Sequence, residues 1–158
     1  MVLLFLRHGE AEKGSRDVSD SQRRLVEVGR IENRLCLEAA RRAGARPDAI
    51  VTSPLVRAVE TADMAAETFG LPRAMRSDER LACGAGLADV REVVAAHRVE
   101  TLMLVGHNPD FSEVVGELIG EARVTLKTSG MACVTLPVVA PGAGRLEWLI
   151  KPSLFARD

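Results

Sequence analysis

The chain is poor in cysteine and has neither a long apolar run nor a dominant charge. Cys36, Cys83 and Cys133 are its three cysteines, and none stands in a Cys-x-x-Cys spacing. An odd, dispersed set excludes both a disulfide framework and a cysteine-rich zinc site, and it fits a reducing, cytoplasmic setting. The histidines, His8, His97 and His107, show no His-Glu-x-x-His spacing, so no metal and no cofactor is expected. No apolar run approaches the ~20 residues that a membrane span needs. The first run, Met1 to Leu6, has no basic stretch before it and meets Arg7-His8 instead of a cleavage signal, so it reads as structure. The 22 acidic and 21 basic residues nearly cancel, which leaves nothing at whole-chain level to attract nucleic acid or an anionic membrane. Any affinity for phosphate must therefore be local. ATP binding has no support either: no Gly-x-x-x-x-Gly-Lys stretch occurs, and Gly142-Ala143-Gly144 is too short for a nucleotide fingerprint.

What remains is the composition of an ordered globular chain. At 158 residues the chain is long enough to bury a core without staples, and the simplest organisation is one domain over 1–158. Hydrophobic residues make up 47% and charged residues 27%, with no low-complexity block or internal repeat, which excludes disorder. The oligomeric state is not encoded in any recognisable pattern, and a monomer is compatible with all of it.

Val2 to Leu6 has the length and continuous apolarity of a strand covered on both faces. After a polar stretch from Gly14 to Asp20, the spacing of Leu25, Val28, Ile31, Leu35 and Ala39 predicts an amphipathic helix ending near Gly44, with those residues on its apolar face. Ala49 to Val51 is a short strand, followed by Ser53 as an N-cap and Pro54 as the first residue of a helix that runs toward Gly70. Arg76 to Leu87 reads as a loop, and Leu87 to His97 as a helix. Thr101 to Val105 is a second buried strand. Asn108-Pro109 repeats the cap-then-proline signal ahead of Phe111, Val114, Val115, Leu118 and Ile119. Two further strands, Ala132 to Leu136 and Leu146 to Ile150, are joined through Pro141 to Gly144. Strands alternating with helices imply an α/β fold, a three-layer α/β/α sandwich with a mainly parallel central sheet and an antiparallel C-terminal strand pair.

Three segments place chemistry at the carboxyl ends of predicted strands, where open α/β sheets bind ligands. They are Arg7-His8-Gly9, Ser53-Pro54-Leu55-Val56-Arg57 and Gly106-His107-Asn108-Pro109. Two guanidiniums supply forked donors suited to phosphate oxygens, and two helix starts add partial positive charge. Such a pocket suits in-line phosphoryl transfer, which needs the phosphorus positioned and its equatorial charge neutralised. A neutral histidine with its second nitrogen tied to an acceptor supplies a nucleophile. Either histidine qualifies on these grounds. Position favours His8, because Arg7 and Gly9 let the backbone turn closely around phosphate, with His107 left as a further phosphate donor.

These blocks, extended to Leu6-Arg7-His8-Gly9-Glu10, Ser53 through Ala62, and Val105 through Pro109, resemble the signature blocks of the histidine phosphatase superfamily, with its phosphoglycerate mutase-like fold. The little that is inserted before Gly106 is similar to the SixA-like phosphohistidine phosphatase branch. The resemblance runs from Met1 to about Ile150. It implies that His8 is transiently phosphorylated, that Arg7, Arg57 and His107 bind the phosphate, and that no metal takes part. It also points to a phosphorylated protein, possibly a histidine phosphotransfer domain, as partner. Many relatives carry an acidic proton donor, and Glu79 occupies the corresponding loop.

The expected activity is thus that of a metal-independent phosphatase working through a phosphohistidine intermediate. A small-molecule phosphomonoesterase acting on sugar or nucleotide phosphates is the alternative, and would need Glu79 as acid. A phosphate- or phosphoprotein-binding module without turnover is a third reading, against which the presence of His8 argues. Cys83, beside the same loop, is expected to be an inert packing residue.

Overall fold

The continuous apolar run at the N-terminus becomes β1 (Val2–Arg7), buried on both faces because helices cover both sides of the sheet. The protein is described by a computed structural model covering residues 1–155. In chain order β1 is followed by α1 (Glu27–Arg42), β2 (Ala49–Thr52), α2 (Val56–Phe69), β3 (Met75–Ser77), α3 (Leu87–Ala96), β4 (Thr101–Gly106), α4 (Asp110–Leu118), β5 (Met131–Thr135) and β6 (Arg145–Ile150). The sheet has six strands in the order β3-β2-β4-β1-β5-β6. The first four are mutually parallel, whereas β5 runs antiparallel to β1 and β6 antiparallel to β5.

Strand alternation sorts the core into two halves. Leu3 and Phe5 of β1 and Leu102 and Leu104 of β4 pack with α3 and α4, and the Phe5 ring meets the Phe111 ring edge-on at a centroid distance of 5.3 Å. Leu4, Leu6, Met103 and Val105 point the other way, against α1 and α2. This is the expected three-layer architecture with its antiparallel C-terminal pair. Among the described residues no helix is long and apolar enough to cross a membrane.

The structure differs from the sequence reading in four places. β3 falls inside the stretch read as a loop: it is a three-residue edge strand, and Arg76 and Ser77 are exposed, so backbone pairing with β2 defines it rather than any apolar pattern. α2 begins at Val56, not Pro54, because the Ser53 hydroxyl accepts the Leu55 N–H and is engaged by His107, keeping Leu55 extended. Asn108 likewise does not cap α4; its side chain is turned to Leu126 and Ser112. The largest difference is the rotation of α1. Val28, Ile31 and Leu35 are exposed, and the inward face is Gly29, Asn33, Cys36, Leu37 and Ala40. Gly29 decides this: a Cβ there would lie 2.2 Å from the Glu10 carbonyl oxygen, so only the glycine edge of the first turn can face the chain leaving β1. Leu25 precedes the helix and pairs with Ala11 in an isolated bridge.

Candidate active site

Parallel register brings three strand ends to one line. Arg7 pairs with Gly106, and Thr52 with Val105, so His8, His107 and Ser53 each leave the sheet at the same level. The ladder continues one step beyond the strands: the His8 N–H donates to the Gly106 carbonyl at 3.0 Å, and the Ser53 N–H to the Val105 carbonyl at 2.9 Å. The His8 and His107 rings consequently stand 5.1 Å apart, centroid to centroid. Gly106 is required at this turn, since a Cβ would enter the Phe111 ring at 2.5 Å.

His8 Nδ1 lies 2.7 Å from the Gly9 carbonyl, which can only accept, so Nδ1 carries the proton and Nε2 holds a lone pair. Arg57 Nε donates to that lone pair at 3.2 Å. Burial pushes the His8 imidazole down to about 3, and the nearby charges of Arg57 and Arg7 act in the same direction against the Gly9 contact. The ring is therefore neutral at physiological pH, with a fixed tautomer and a nitrogen lone pair directed at an arginine.

His107 is almost wholly buried, and burial lowers it to about 4, helped by the positive charge of Arg57. Its Nε2 lies 2.7 Å from Ser53 Oγ, and its Nδ1 has no hydrogen-bond partner among the described residues. A hydroxyl can both give and take a hydrogen bond, so Ser53 can serve either tautomer of His107; where the hydroxyl donates to Nε2, the ring proton sits on Nδ1 as a desolvated donor. Arg7 is also only partly satisfied: Nη1 donates to the Leu126 carbonyl at 2.9 Å, while Nε is buried without a partner among the described residues. An orphaned guanidinium N–H and an orphaned imidazole nitrogen beside the neutral His8 ring describe a site suited to an anion.

Arg57, the second residue of α2, is 4% exposed and is held from two sides. Asp20, in a 3-10 turn at Asp20–Gln22, takes its Nη1 on the backbone carbonyl at 2.7 Å and its Nη2 on Oδ2 at 3.1 Å. Thr61 Oγ1 accepts the Gly9 N–H and donates to the Arg57 carbonyl, tying the first block to the second. The surface ion pair between Arg57 and Glu60 that their spacing allows does not form; Glu60 instead takes Arg24, Arg30 and the Leu25 N–H.

Arg7, His8, Arg57 and His107 are thus brought together. Glu79 is not: it opens the 3-10 turn Glu79–Leu81, its side chain is exposed, and among the described residues no hydrogen bond or ion pair joins it to those four. Cys83 is exposed rather than packed, 3.8 Å from Arg57 Nη2, because its loop crosses the site mouth where Asp110 Oδ2 accepts the Gly84 N–H. Sequence reasoning missed Ser53 as the partner of His107, Thr61 as the tie between blocks, Ser112 and Asn108 as the supports of Leu126, and Asp20. A buried polar side chain one position after a strand was the available signal for Ser53. For Asp20, inside a polar loop, there was none.

The depressed imidazoles have a consequence for stability. Unfolded, both histidines titrate near 6.5. Below that pH the unfolded chain binds more protons than the folded one, so their contribution is complete above about pH 6.5 and is lost as pH falls toward 4 and then 3. The thermal midpoint is expected to drop between pH 7 and pH 4, and His8→Ala to make that drop shallower. Identical slopes in wild type and variant would contradict burial of a neutral His8.

Comparison with known proteins follows the same lines. The sequence model of the histidine phosphatase superfamily, branch 1, matches residues 3–82, half of the chain and the half that contains Arg7, His8 and Arg57. The chain is 35% identical over 116 residues to an uncharacterized protein of Picosynechococcus sp. (strain ATCC 27264 / PCC 7002 / PR-6), covering 72% of this chain and 70% of that one. It is 28% identical over 156 residues to the phosphohistidine phosphatase SixA of Escherichia coli (strain K12), covering 96% and 94% of the two chains. The solved structure of the protein histidine phosphatase SixA complexed with tungstate superposes with a TM-score of 0.87 at 26% identity, covering 99% of this chain and 100% of that one.

Proposed function

The chain belongs to the histidine phosphatase superfamily, branch 1, and we propose that it is a metal-independent phosphatase whose His8 takes the phosphoryl group from phosphohistidine on a protein, such as a histidine phosphotransfer domain. The observation that carries this reading is the pairing of a tautomer-fixed lone pair on His8 Nε2 with two buried nitrogens, Arg7 Nε and His107 Nδ1, that have no hydrogen-bond partner among the described residues.

An incoming phosphoryl group displaces Arg57 Nε from His8 Nε2, and Arg57, Arg7 and His107 take its oxygens. His8 Nε2 attacks phosphorus, the bond to the leaving nitrogen breaks with its electron pair becoming that nitrogen's lone pair, and the substrate imidazole departs neutral because its other ring nitrogen carries a proton. The ring becomes a cationic phosphoimidazolium, whose Nδ1–H donates to the Gly9 carbonyl. Water then attacks phosphorus, inorganic phosphate leaves with the water's protons, and the lone pair returns to Nε2.

The leaving group decides between a nitrogen and an oxygen substrate. An alkoxide needs a general acid, worth roughly 10²–10⁴-fold, whereas a phosphohistidine protonated on its other ring nitrogen releases a neutral imidazole without one. Asp20, which reaches Arg57, is held ionised below the usual carboxylate range by its hydrogen bonds to Arg23 and Arg57. Glu79 makes no hydrogen bond or ion pair with the four pocket residues among the described residues. Both facts favour the N–P substrate. The relationship to the SixA of Escherichia coli, named a phosphohistidine phosphatase, supports the same choice.

The test is phosphate release from a phosphorylated histidine phosphotransfer domain against a panel of sugar and nucleotide monophosphates. kcat/KM is expected to favour phosphohistidine by about 100-fold, the lower bound set by a missing acid. A preference for the esters would overturn the substrate assignment and return Glu79 to the acid's role; tungstate binding without turnover of anything would identify a binding module.

A further inference from the structure

We infer that Asp20 is a positioning residue of the phosphate pocket, fixing the Arg57 guanidinium with one edge turned to His8. The inference rests on the reading of Arg57 as a phosphate ligand.

Asp20 belongs to a strap, residues 12–24, that leaves and returns to the body between Ala11 and Leu25. Its ends are clasped by the Ala11–Leu25 bridge, by the Glu12 N–H on the Arg24 carbonyl at 2.8 Å, and by the Arg24 N–H on Glu12 Oε2 at 3.0 Å. The Asp20 side chain is 62% exposed and the turn contains no buried residue, so packing does not hold it there. Charge does. Oδ1 takes Arg23 Nη1 at 2.8 Å while Oδ2 takes Arg57 Nη2, and Arg23 Nε is itself anchored on the Glu12 carbonyl.

The division of Arg57 is the informative point. Asp20 occupies the two terminal nitrogens through its backbone carbonyl and Oδ2, and the remaining nitrogen, Nε, is the one aimed at His8 Nε2. A carboxylate that blocked the pocket as a phosphate mimic would sit on the edge facing His8. This one sits on the other edge. A guanidinium has a planar fork that rewards a fixed orientation, and a displaced fork loses its bidentate match to an oxyanion. The same carboxylate provides the charge partner that a nearly buried guanidinium otherwise lacks.

The sign of the effect separates positioning from mere proximity. Deleting a negative charge beside an anion site tightens anion binding if charge alone acts. Deleting a positioning contact loosens it. Tungstate affinity, measured by calorimetry on the full chain, is therefore compared among wild type, Asp20→Ala, Asp20→Asn, Arg57→Ala and the Asp20→Ala/Arg57→Ala double variant. Asp20→Ala is expected to weaken tungstate by about 10-fold, within the reach of a misplaced binding group. Asp20→Asn keeps an oxygen for Arg57 and is expected to stay within about 3-fold of wild type. In the Arg57→Ala background Asp20→Ala should add less than about 2-fold, since the two act as one unit. Equal or tighter binding by Asp20→Ala overturns the inference, as does a full loss that persists without Arg57. If Arg57→Ala itself binds tungstate like wild type, the phosphate-ligand reading of Arg57 fails, and the positioning role falls with it. Because the strap is exposed, the thermal midpoint of Asp20→Ala should match wild type; Asp20→Asn reports independently where it does not.

Discussion

His8→Ala is expected to reduce phosphate release by at least about 10³-fold, the scale on which loss of a covalent nucleophile is felt, while tungstate still binds. The two halves of that expectation come from different atoms. Turnover depends on the Nε2 lone pair, which the Nδ1 contact with the Gly9 carbonyl keeps available and which no neighbouring side chain replaces: the His107 ring uses Nε2 on Ser53. Anion binding depends on Arg7, Arg57 and His107, whose backbone positions are set by β1, α2 and β4 rather than by His8. Steady-state phosphate release and calorimetry on the same preparation check both. A loss of turnover below about 10-fold would show that His8 is not the nucleophile.

The largest expected effect on stability is at Gly29. Gly-to-Ala in a helix ordinarily stabilises by about 0.5–1 kcal/mol. Here the sign reverses. A Cβ on Gly29 would lie 2.2 Å from the Glu10 oxygen, 2.7 Å from its nitrogen and 3.0 Å from its carbonyl carbon. All three are backbone atoms and cannot rotate away. Gly29→Ala is expected to cost about 2–3 kcal/mol, in the range of core overpacking, and to lower the thermal midpoint by roughly 5–10 °C. It should also impair catalysis. Glu10 is next to Gly9, whose N–H is held by Thr61 and whose carbonyl fixes the His8 tautomer, so pushing Glu10 away from α1 strains the contact that sets the nucleophile. A midpoint within about 2 °C of wild type, with full activity, would contradict this account of the crossing.

The same glycine explains where the sequence was readable and where it was not. The strands β1 and β4 were legible because burial on both faces leaves an unbroken apolar run, and their C-terminal residues could be placed at one sheet edge from that alone. The convergence of His8, Arg57 and His107 was expected from segments that follow predicted strands at their carboxyl ends; the strand order itself was not legible. The face of α1 did not, since Val28, Ile31 and Leu35 have the spacing of an inward stripe while a backbone contact at Gly29 turns them outward. Periodicity ranks side chains by hydrophobicity and is blind to a close backbone approach. Ser53 and Asn108 were misread for a related reason: both have the chemistry of a helix cap, but tertiary partners His107 and Leu126 take their side chains first. Asp20 was invisible because its importance comes wholly from where a polar strap folds back.

The central claim is that His8 carries the phosphoryl group. It is tested most directly by mixing excess enzyme with phosphohistidine protein, quenching in alkali, which preserves N-phosphoryl bonds, and mapping the modified peptide by mass spectrometry. The account predicts one phosphoryl group on the peptide that contains His8, formed and lost within a single turnover, and absent in His8→Ala. A phosphoryl group on His107, or product formation with no modified enzyme at any time point, would contradict it.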